Sequence, residues 1–347
     1  MILPNGNWIL YAKSFRYSNG KFKVLLINNN KIIKNCISIK KINFKKEYIN
    51  KNGKFTLSNK KYKKKNIKSN LCSEEYFYLP EYHRFCFYIK NKPIIHRKIW
   101  EYFIINSTIE KFFNYKFNNK KGLGFAVGNE PLVPLFILNN NFITATDISK
   151  NNTNYEKWFS TNQNIDIGFD KYTNLKSEKY MLNKKFFKKY CEKKYIDMNN
   201  LPKIINDNNY DFLWSSCALE HLGSLKNSFD FIIKSLNFLK KGGIAVHTTE
   251  FNYVSNNETL ITKDCIIFTK NHFNILKKKL KKLGHELLPI NFNRKYTKIN
   301  NNIDLFPYNT VKDCKLCNYI LNNNNKTHIN LNISGYNSTS IYFVIIK

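Results

Sequence analysis

The sequence predicts an α/β fold with a mostly parallel sheet and helices on both faces. Between about residues 120 and 290, apolar segments of strand length alternate with amphipathic segments of helix length. Within this region, Lys121–Asp147 combines a glycine-rich turn, a helical stretch and a strand that ends on an acid. No run of about 18 apolar residues is present, so the apolar content indicates a core and no membrane span.

The elements that follow Asp147 can be placed from their patterns. A strand over 211–216 precedes a helix with Phe229 and Ile232 on one face, which ends at Gly242–Gly243 because glycine readily takes a positive φ. Ile244–Thr249 is the next strand, and Thr269 is a candidate cap for a further helix. The remaining predicted elements are helices over about 99–113 and 177–192, a strand end at 195–198, and strands at 286–290 and 340–346.

The chain divides into three predicted parts. Residues 1–70 form a small β-rich appendage, residues 71–115 an aromatic and helical lid segment, and residues 116–347 the main domain. Short apolar runs between Asn-Gly turns mark the appendage, and a lysine-rich stretch at 60–68 follows them. Its predicted strands are Trp8–Ala12, Lys23–Ile27, Ile32–Ile39 and Phe55–Leu57.

The net charge of +33 resembles that of a nucleic-acid binder. Almost all of the cations are lysines, however, and runs of asparagine accompany them, a composition typical of an AT-rich coding sequence. Specific nucleic-acid readers rely on the bidentate contacts of arginine. We therefore expect only loose, salt-sensitive and non-specific binding to nucleic acid.

Cysteine usage and the N-terminus predict a cytoplasmic protein. The first residues lack a basic segment followed by an apolar stretch, so no signal peptide is expected. The eight cysteines are scattered and are expected to be reduced. The one close pair, Cys314 and Cys317, has no second pair and no histidine at ligand spacing, so no metal site is predicted.

The glycine-rich turn and the following acid predict a nucleotide-type site. Glycines between Gly122 and Gly128 let the backbone approach a ligand, and the start of the following helix offers unpaired N–H groups. Asp147, about 20 residues further on, is placed to accept from two ribose hydroxyls. The alternative for the glycines alone is a tight turn between strand and helix.

Four stretches together resemble the class I S-adenosylmethionine-dependent methyltransferases of the type 11 sort. They are Gly122–Gly128 with Asp147, Asp197-Met198, Tyr210–His221, and Leu239–Gly243 leading into a strand. A bacterial subgroup with the pattern HRKxWEx…GLGFxVGxEPL…ATD…WSSCALEHLGS…GGIAVHTTEF is more similar still, over about residues 80–347. The resemblance implies a Rossmann-like, seven-stranded, mostly parallel sheet with helices on both faces, in addition to the β-rich N-terminal appendage.

The resemblance also implies S-adenosyl-L-methionine as cofactor and assigns its site. Gly124 and Gly128 would form the turn under the methionine part, Asp147 would bind the ribose, and Asp197 would accept from the adenine amino group beside Met198. The chain departs from the family pattern at Gly122, where an acid is usual, and at Ala126, where a glycine is usual. The full set of predicted cofactor-binding residues is Gly122, Gly124, Phe125, Gly128, Glu130, Asp147, Ile148, Asp197, Met198, Ser215 and Ser216.

Two interpretations of Glu130 stay open. It replaces the missing acid as partner of the cofactor's ammonium group, or it complements the positive N-terminus of a helix.

Methyl transfer to an oxygen requires alignment and removal of a proton, for which histidine is the usual base. His221, His247 and Glu250 follow or end two strands at the edge where ligands bind in parallel sheets. They are the predicted catalytic residues. A capping or core role is the alternative for both histidines.

Two classes of function remain. The first is a methyltransferase that acts on a hydroxyl of a small molecule or saccharide, as the subgroup's association with carbohydrate-modifying proteins implies. The second is a nucleic-acid methyltransferase or binding protein, which the charge favours but the absence of an Asn/Asp-Pro-Pro-Tyr motif after the fourth strand opposes. A non-catalytic member of the fold is the third alternative. The sequence leaves the oligomeric state open.

Overall fold

The computed structural model describes residues 67–161, 163–173, 184–202, 208–305 and 327–347, together with four strands nearer the N-terminus. The chain forms two compact units, Met1–Lys60 and Lys61–Lys347. Some predicted features lie outside the described residues: the strand at 55–57, most of the basic stretch at 60–68, the first half of the helix at 177–192, and the Cys314–Cys317 pair.

The first unit contains a small antiparallel sheet. Its strands are β1 (Trp8–Ala12), β2 (Phe22–Asn28), β3 (Lys31–Ile32) and β4 (Ile37–Ile39). The strand β2 pairs antiparallel with each of the other three. Both described ends of the strand predicted over 32–39 pair with β2, and residues 33–36 lie outside the described part of the chain.

The second unit is built on one large sheet, in which the described residues form eleven strands. They are β5 (Ser69–Leu71), β6 (Lys121–Phe125), β7 (Phe142–Asp147), β8 (Cys191–Tyr195), β9 (Tyr210–Ser216), β10 (Leu239–Asn252), β11 (Glu286–Leu287), β12 (Ile290–Asn291), β13 (Ile303–Asp304), β14 (Asn330–Ile333) and β15 (Tyr336–Ile346). The helices are α1 (Pro80–Tyr88), α2 (Arg97–Phe112), α3 (Leu132–Leu138), α4 (Tyr155–Ser160), α5 (Ile165–Thr173), α6 (Lys184–Tyr190), α7 (Leu225–Ser235), α8 (Lys270–Lys282) and α9 (Lys298–Asn301).

The centre of the sheet is parallel. The strand order runs β8-β7-β6-β9-β10-β15-β5-β12, with β8 to β10 parallel to one another and β15 antiparallel to β10. This confirms the predicted α/β class with a mostly parallel core. The strand count exceeds the predicted seven because short strands of two to four residues extend the sheet beyond β15.

Side chains alternate between two cores, one on each face of the sheet. On β9, Phe212 and Trp214 point into the first core, while Leu213 points into the second. Helices α2 and α3 cover the first core, and α7 and α8 cover the second. The predicted arrangement of helices on both faces is therefore correct, and strands buried on both sides explain the apolar runs in the sequence.

Several predicted boundaries differ from the structure. The helix predicted to end at Gly242–Gly243 ends at Ser235, and both glycines lie within β10. The helix predicted to reach residue 192 ends at Tyr190, and Cys191 begins β8, because pairing with β7 overrides the helical pattern there. The strand predicted over 244–249 is part of the longer β10, whose register on β9 shifts between Leu239 and Ile244.

The topology creates a crevice at one edge of the sheet. After β6 the chain continues to β7 on one side, whereas β9 lies on the other side of β6. In open α/β sheets, a reversal of this kind leaves room for a ligand at the carboxyl ends of the strands. In the part of the chain that the structure describes, no helix combines the length and apolarity required to cross a membrane.

Candidate functional site

A cavity of about 450 Å³ lies at the carboxyl ends of the central parallel strands. This is within the usual size of small-molecule sites. Residues that follow β6, β7, β8 and β9 form most of its wall, and the start of α2 completes it. The lining residues are His96, Lys98, Tyr102, Ala126, Val127, Gly128, Asn129, Glu130, Asp147, Ile148, Asn152, Asn154, Trp158, Gln163, Ile196, Asp197, Met198, Asn199, Ser216, Cys217, Ala218, His221, Leu222 and His328.

The turn after β6 is shorter than the glycine pattern predicts. The structure places Gly122 and Gly124 inside β6, and of the predicted glycines only Gly128 lines the cavity. The first two glycines are required for packing, since a Cβ at either position would collide with an aromatic ring of β9, Phe212 or Trp214. Phe125 is fully buried in the second core. Gly122, Gly124 and Phe125 therefore pack within the sheet next to the cavity wall, and assigning them to the turn was wrong.

The turn itself consists of Ala126, Val127 and Gly128. Ala126 and Gly128 have φ values of 48° and 49°, and Val127 N–H donates to the carbonyl of Thr146 at 3.1 Å. A Cβ at Gly128 would collide with the carbonyl oxygen of Gln163, so the backbone there requires glycine in both conformation and space. The departure from the family pattern at Ala126 is accommodated in a left-handed conformation.

Asp147 ends β7 at the cavity wall and is 6% exposed. Its Oδ1 accepts from the backbone N–H of Ile148 at 2.9 Å, and its Oδ2 from that of Ile165 at 3.0 Å. Burial raises the pKa of Asp147 to about 6, although the backbone donors of Ile148, Ile165 and Gly128 oppose this rise. The carboxylate is therefore held rigidly, and it keeps acceptor capacity for a ligand.

Asp197 and Met198 follow β8 and lie on the same wall, together with Ile148. Asp197 Oδ2 accepts from the side-chain amide of Asn152 at 3.2 Å, and its Oδ1 accepts from the backbone of Asn199 at 2.9 Å. Met198 is 6% exposed. The structure thus brings a second carboxylate and apolar side chains to the part of the cavity that also holds Asp147.

Glu130 lies in the cavity wall, only 3% exposed, and accepts a hydrogen bond from the indole nitrogen of Trp214. Burial raises the pKa of Glu130 to about 8, although the Trp214 donor and the nearby Lys98 lower it. Glu130 lies just before α3 and borders the cavity, so its position is compatible both with a ligand-facing role and with complementing the helix N-terminus.

Replacing Glu130 with Gln is expected to change how stability depends on pH. Between pH 4.5 and about 8, the folded protein keeps a proton on Glu130 that the unfolded chain has lost, so the free energy of unfolding falls as pH rises. The amide side chain of the variant cannot ionise, but its carbonyl oxygen can still accept from Trp214. Urea unfolding should therefore show that the free energy of unfolding of Glu130→Gln rises relative to that of the parent between pH 5 and pH 9. The expected rise is up to a few kcal/mol, at about 1.4 kcal/mol per pKa unit. A difference that stays constant over this range would contradict the assignment.

The two serines at the end of β9 point in opposite directions. Ser216 lines the cavity and donates to Glu101 Oε2 at 3.3 Å. Ser215 is fully buried, and its hydroxyl lies 2.8 Å from Nδ1 of His247 on the neighbouring strand. The prediction that Ser215 borders the cofactor is wrong, because alternate residues of a strand face opposite sides of the sheet.

His247 is likewise a core residue and not a catalytic one. It is fully buried in β10 between the rings of Phe231 and Phe343, whose centroids lie 6.2 and 5.3 Å away. Burial lowers its pKa to about 3, so the ring is neutral. It does not border the cavity.

Glu250 does not border the cavity either. It is 4% exposed, forms a buried ion pair with Arg97, and accepts from the hydroxyl of Ser338 at 2.6 Å. The prediction of a catalytic Glu250 is therefore wrong, because β10 continues through residue 250 and its carboxylate is paired with the start of α2. Its contacts indicate a structural role.

His221 is the one predicted catalytic residue that borders the cavity. It ends a short 3₁₀ helix, Leu219–His221, and its Nδ1 lies 2.7 Å from the carbonyl oxygen of Asp264. That contact requires a proton on Nδ1, which leaves Nε2 as the basic nitrogen. The ring of Trp158, from α4, stands 4.9 Å away and fixes the imidazole on one side.

The start of α2, which belongs to the predicted lid segment, supplies a wall whose residues were not among the predicted site residues. His96, Lys98 and Tyr102 line the cavity, and Lys98 pairs with Glu101 at 2.9 Å. Burial alone would lower the pKa of Lys98, but Cys217 and Glu101 beside it leave that pKa well above its ordinary value. The HRKxWE stretch was the only sequence signal for these residues.

Much of the remainder of the predicted 71–115 lid packs into the protein, although Tyr78, Phe87 and Tyr88 are exposed. Tyr82, Trp100 and Phe103 are buried in the first core, and α2 lies across β9, β10 and β15. The aromatic composition of this segment thus reflects packing, with only the first turns of α2 reaching the cavity.

No family model and no curated protein matches this chain. Solved structures of low similarity include an S-adenosylmethionine dependent methyltransferase from Mesorhizobium loti, with 9% identity over 67% of this chain and 93% of that chain, at a TM-score of 0.37. A SAM-dependent methyltransferase from Methanosarcina mazei has 13% identity over 66% of this chain and 92% of that chain, at a TM-score of 0.37. The cyclase SpnF has 18% identity and a TM-score of 0.34, but the match spans only 49% of this chain and 53% of that chain. Structural similarity at these TM-scores and identities supports no conclusion about the function of the chain.

Proposed function

We propose that this protein binds S-adenosylmethionine in the cavity and transfers its methyl group to a hydroxyl of a small molecule or saccharide. The observation that supports this best is the wall itself: the Gly128 turn, Asp147 and Asp197 follow three adjacent parallel strands and face one cavity at the switch point of the sheet. Several of the stretches that resemble the type 11-like subgroup contribute residues to this wall, and we propose that the chain is one of its members.

The residues present fit this cofactor chemically. Asp147 offers carboxylate oxygens for a ribose diol, and Asp197 an acceptor for the adenine amino group. Met198 and Ile148 provide an apolar surface for the ring. Glu130 offers a carboxyl oxygen that can accept from the ammonium of the methionine part, and Lys98 offers a positive charge for its carboxylate. When bound, the cofactor supplies an electrophilic methyl group on a positively charged sulfur.

The acceptor side of the cavity favours a small neutral molecule over a nucleic acid. Of the described residues that line the cavity, Lys98 is the one lysine or arginine, and it pairs with Glu101. A site for a polyanion would bring several cations to the wall. The histidines, Tyr102 and Ser216 provide donors and acceptors suited to hydroxyl groups. We propose that His221 contacts and positions the acceptor.

Calorimetry with S-adenosylmethionine tests the proposed site. The parent protein should bind, and Asp147→Ala should bind about 10- to 150-fold more weakly, because a charged hydrogen-bond partner contributes about 1.5–3 kcal/mol. Thermal melting must accompany the titration, since Asp147 also holds the backbone of Ile148 and Ile165.

Asp230→Ala is the matched control, because Asp230 lies on α7, outside the cavity wall. This variant should bind as the parent does. Unchanged affinity in a folded Asp147→Ala protein would remove Asp147 from the site, whereas a parent that binds no cofactor would overturn the proposed function.

A further inference from the structure

Two histidines from distant parts of the chain meet at the cavity wall. The rings of His96 and His328 are stacked, with centroids 4.4 Å apart and planes inclined by 28°. Their backbones are joined by hydrogen bonds from Arg97 N–H to the carbonyl of His328 at 2.8 Å and from His328 N–H to the carbonyl of Ile95 at 3.2 Å. The two rings are therefore held in fixed positions beside the ligand space.

A buried carboxylate orients the second of these rings. Asp304 is 2% exposed, and its Oδ2 lies 2.6 Å from Nδ1 of His328. Asp304 belongs to β13, which pairs with β14 close to His328, so the backbone fixes both partners. An imidazole whose Nδ1–H donates to a carboxylate carries its basic lone pair on Nε2, as a general base requires.

His96 has the opposite tautomer. Its Nδ1 accepts from the backbone N–H of Lys98 at 3.1 Å, where it also caps α2. In the neutral ring the proton therefore resides on Nε2, which is a hydrogen-bond donor. The stacked pair thus presents one basic nitrogen and one N–H group.

The surroundings keep both rings neutral near pH 7. Burial lowers the pKa of His96, and the charges of His328 and Arg97 lower it further. Burial also lowers the pKa of His328, and Arg97 contributes, while Asp304 and Glu250 oppose this. A neutral imidazole is available as a proton acceptor.

We propose that His328, oriented by Asp304, accepts the proton of the acceptor hydroxyl, and that His96 donates a hydrogen bond to the acceptor. This rests on the proposed function of the same cavity. The acceptor oxygen bonds to the methyl carbon while the bond from that carbon to sulfur breaks, and its electron pair stays on sulfur. The hydroxyl proton passes to Nε2 of His328, and the resulting imidazolium is stabilised by Asp304. The positive charge of the sulfonium is thereby transferred to the imidazole.

Nitrogen NMR of the histidine rings tests the dyad without any acceptor. In ¹⁵N-labelled parent protein at pH 7, His328, assigned by its loss in His328→Gln, should be neutral and protonated on Nδ1. Asp304→Asn should lose this preference and shift the His328 titration to lower pH, because Asp304 raises that pKa. A His328 ring that is protonated on Nε2 alone, or charged at pH 7, would overturn the proposal.

Methyl transfer tests the role in catalysis. Tritiated S-adenosylmethionine is incubated with an extract of the source organism, and label is counted in saccharide, lipid, RNA and protein fractions. His328→Gln should lose about 100- to 10,000-fold in rate together with the inflection of the pH–rate profile, while calorimetric cofactor affinity stays within about two-fold. Asp304→Asn should lose roughly 10-fold or more.

Two further histidine variants complete the experiment. His221→Gln should raise KM more than it lowers kcat, and His285→Gln, outside the cavity wall, should behave as the parent. If His328→Gln turns over at the parent rate, or if His221→Gln alone removes the inflection, His328 is not the base. A parent protein that binds no cofactor would instead count against the proposed function. The NMR test of the His328 ring does not depend on cofactor binding.

Discussion

Gly128→Ala is expected to weaken S-adenosylmethionine binding by at least about 100-fold. The backbone at Gly128 has a φ of 49°, which costs an L-residue roughly 1 kcal/mol or more. The added methyl group would also collide with the carbonyl oxygen of Gln163. A Cβ at Gly168 would in turn collide with the carbonyl oxygen of Gly128, so α5 and the turn are packed backbone to backbone. Neither segment can yield without moving Asp147, which holds the N–H of Ile165 at the start of α5.

Gly242→Ala separates this effect from simple backbone strain. Gly242 has a comparable φ of 75°, but a Cβ there would meet no atom within 4 Å, and the residue lies outside the cavity wall. Gly242→Ala should lose only the stability that backbone strain accounts for, and it should bind the cofactor as tightly as the parent does. Calorimetry and urea unfolding on both variants provide the comparison. Normal affinity in a stably folded Gly128→Ala protein would show that the turn does not contact the cofactor.

The fold could be predicted because its strongest signals are local. The alternation of strands and helices, the stop at Gly284, and the acid at the end of β7 all lie within short stretches of sequence. The length of the glycine turn could not be predicted in this way. Gly122 and Gly124 are required by Phe212 and Trp214, about ninety residues later, and such cross-strand packing leaves no local pattern.

The candidate catalytic residues likewise include some that local sequence signals could locate and some that they could not. His221 follows a strand end closely, and its position at the cavity could be predicted from the order of the elements. The roles predicted for His247 and Glu250 depended on where β10 ends and on which face each side chain lies, and the strand continues to Asn252. His328 reaches the cavity from the C-terminal part of the chain and contacts the buried Asp304, and neither residue has a sequence motif around it.

Arg97→Met is expected to destabilise the protein by about 3–5 kcal/mol, since it leaves the carboxylate of Glu250 buried without its partner. The two side chains are only 11% and 5% exposed, and they join α2 to β10. Arg97 also lies 3.9 Å from Glu101, and its guanidinium donates to Ser340 at 3.0 Å. Burial alone would lower the pKa of Arg97, but Glu250 and its neighbours raise it, so the guanidinium is charged in the folded protein. Urea unfolding at pH 7 measures the loss.

A double-mutant cycle shows whether the ion pair itself is responsible. Arg97→Met combined with Glu250→Met replaces both charges with apolar side chains, so the double variant should be clearly more stable than the sum of the two single losses predicts. The matched control is Lys226→Ala in the exposed pair with Asp230, where the side chains are 80% and 36% exposed and the loss should be at most about 1 kcal/mol. Additive losses at Arg97 and Glu250 would contradict a coupled pair. The ion pair holds the first turn of α2 against β10. This turn carries Lys98 and directly follows His96, and both residues line the cavity. Loss of the ion pair should therefore also weaken cofactor binding in any variant that remains folded.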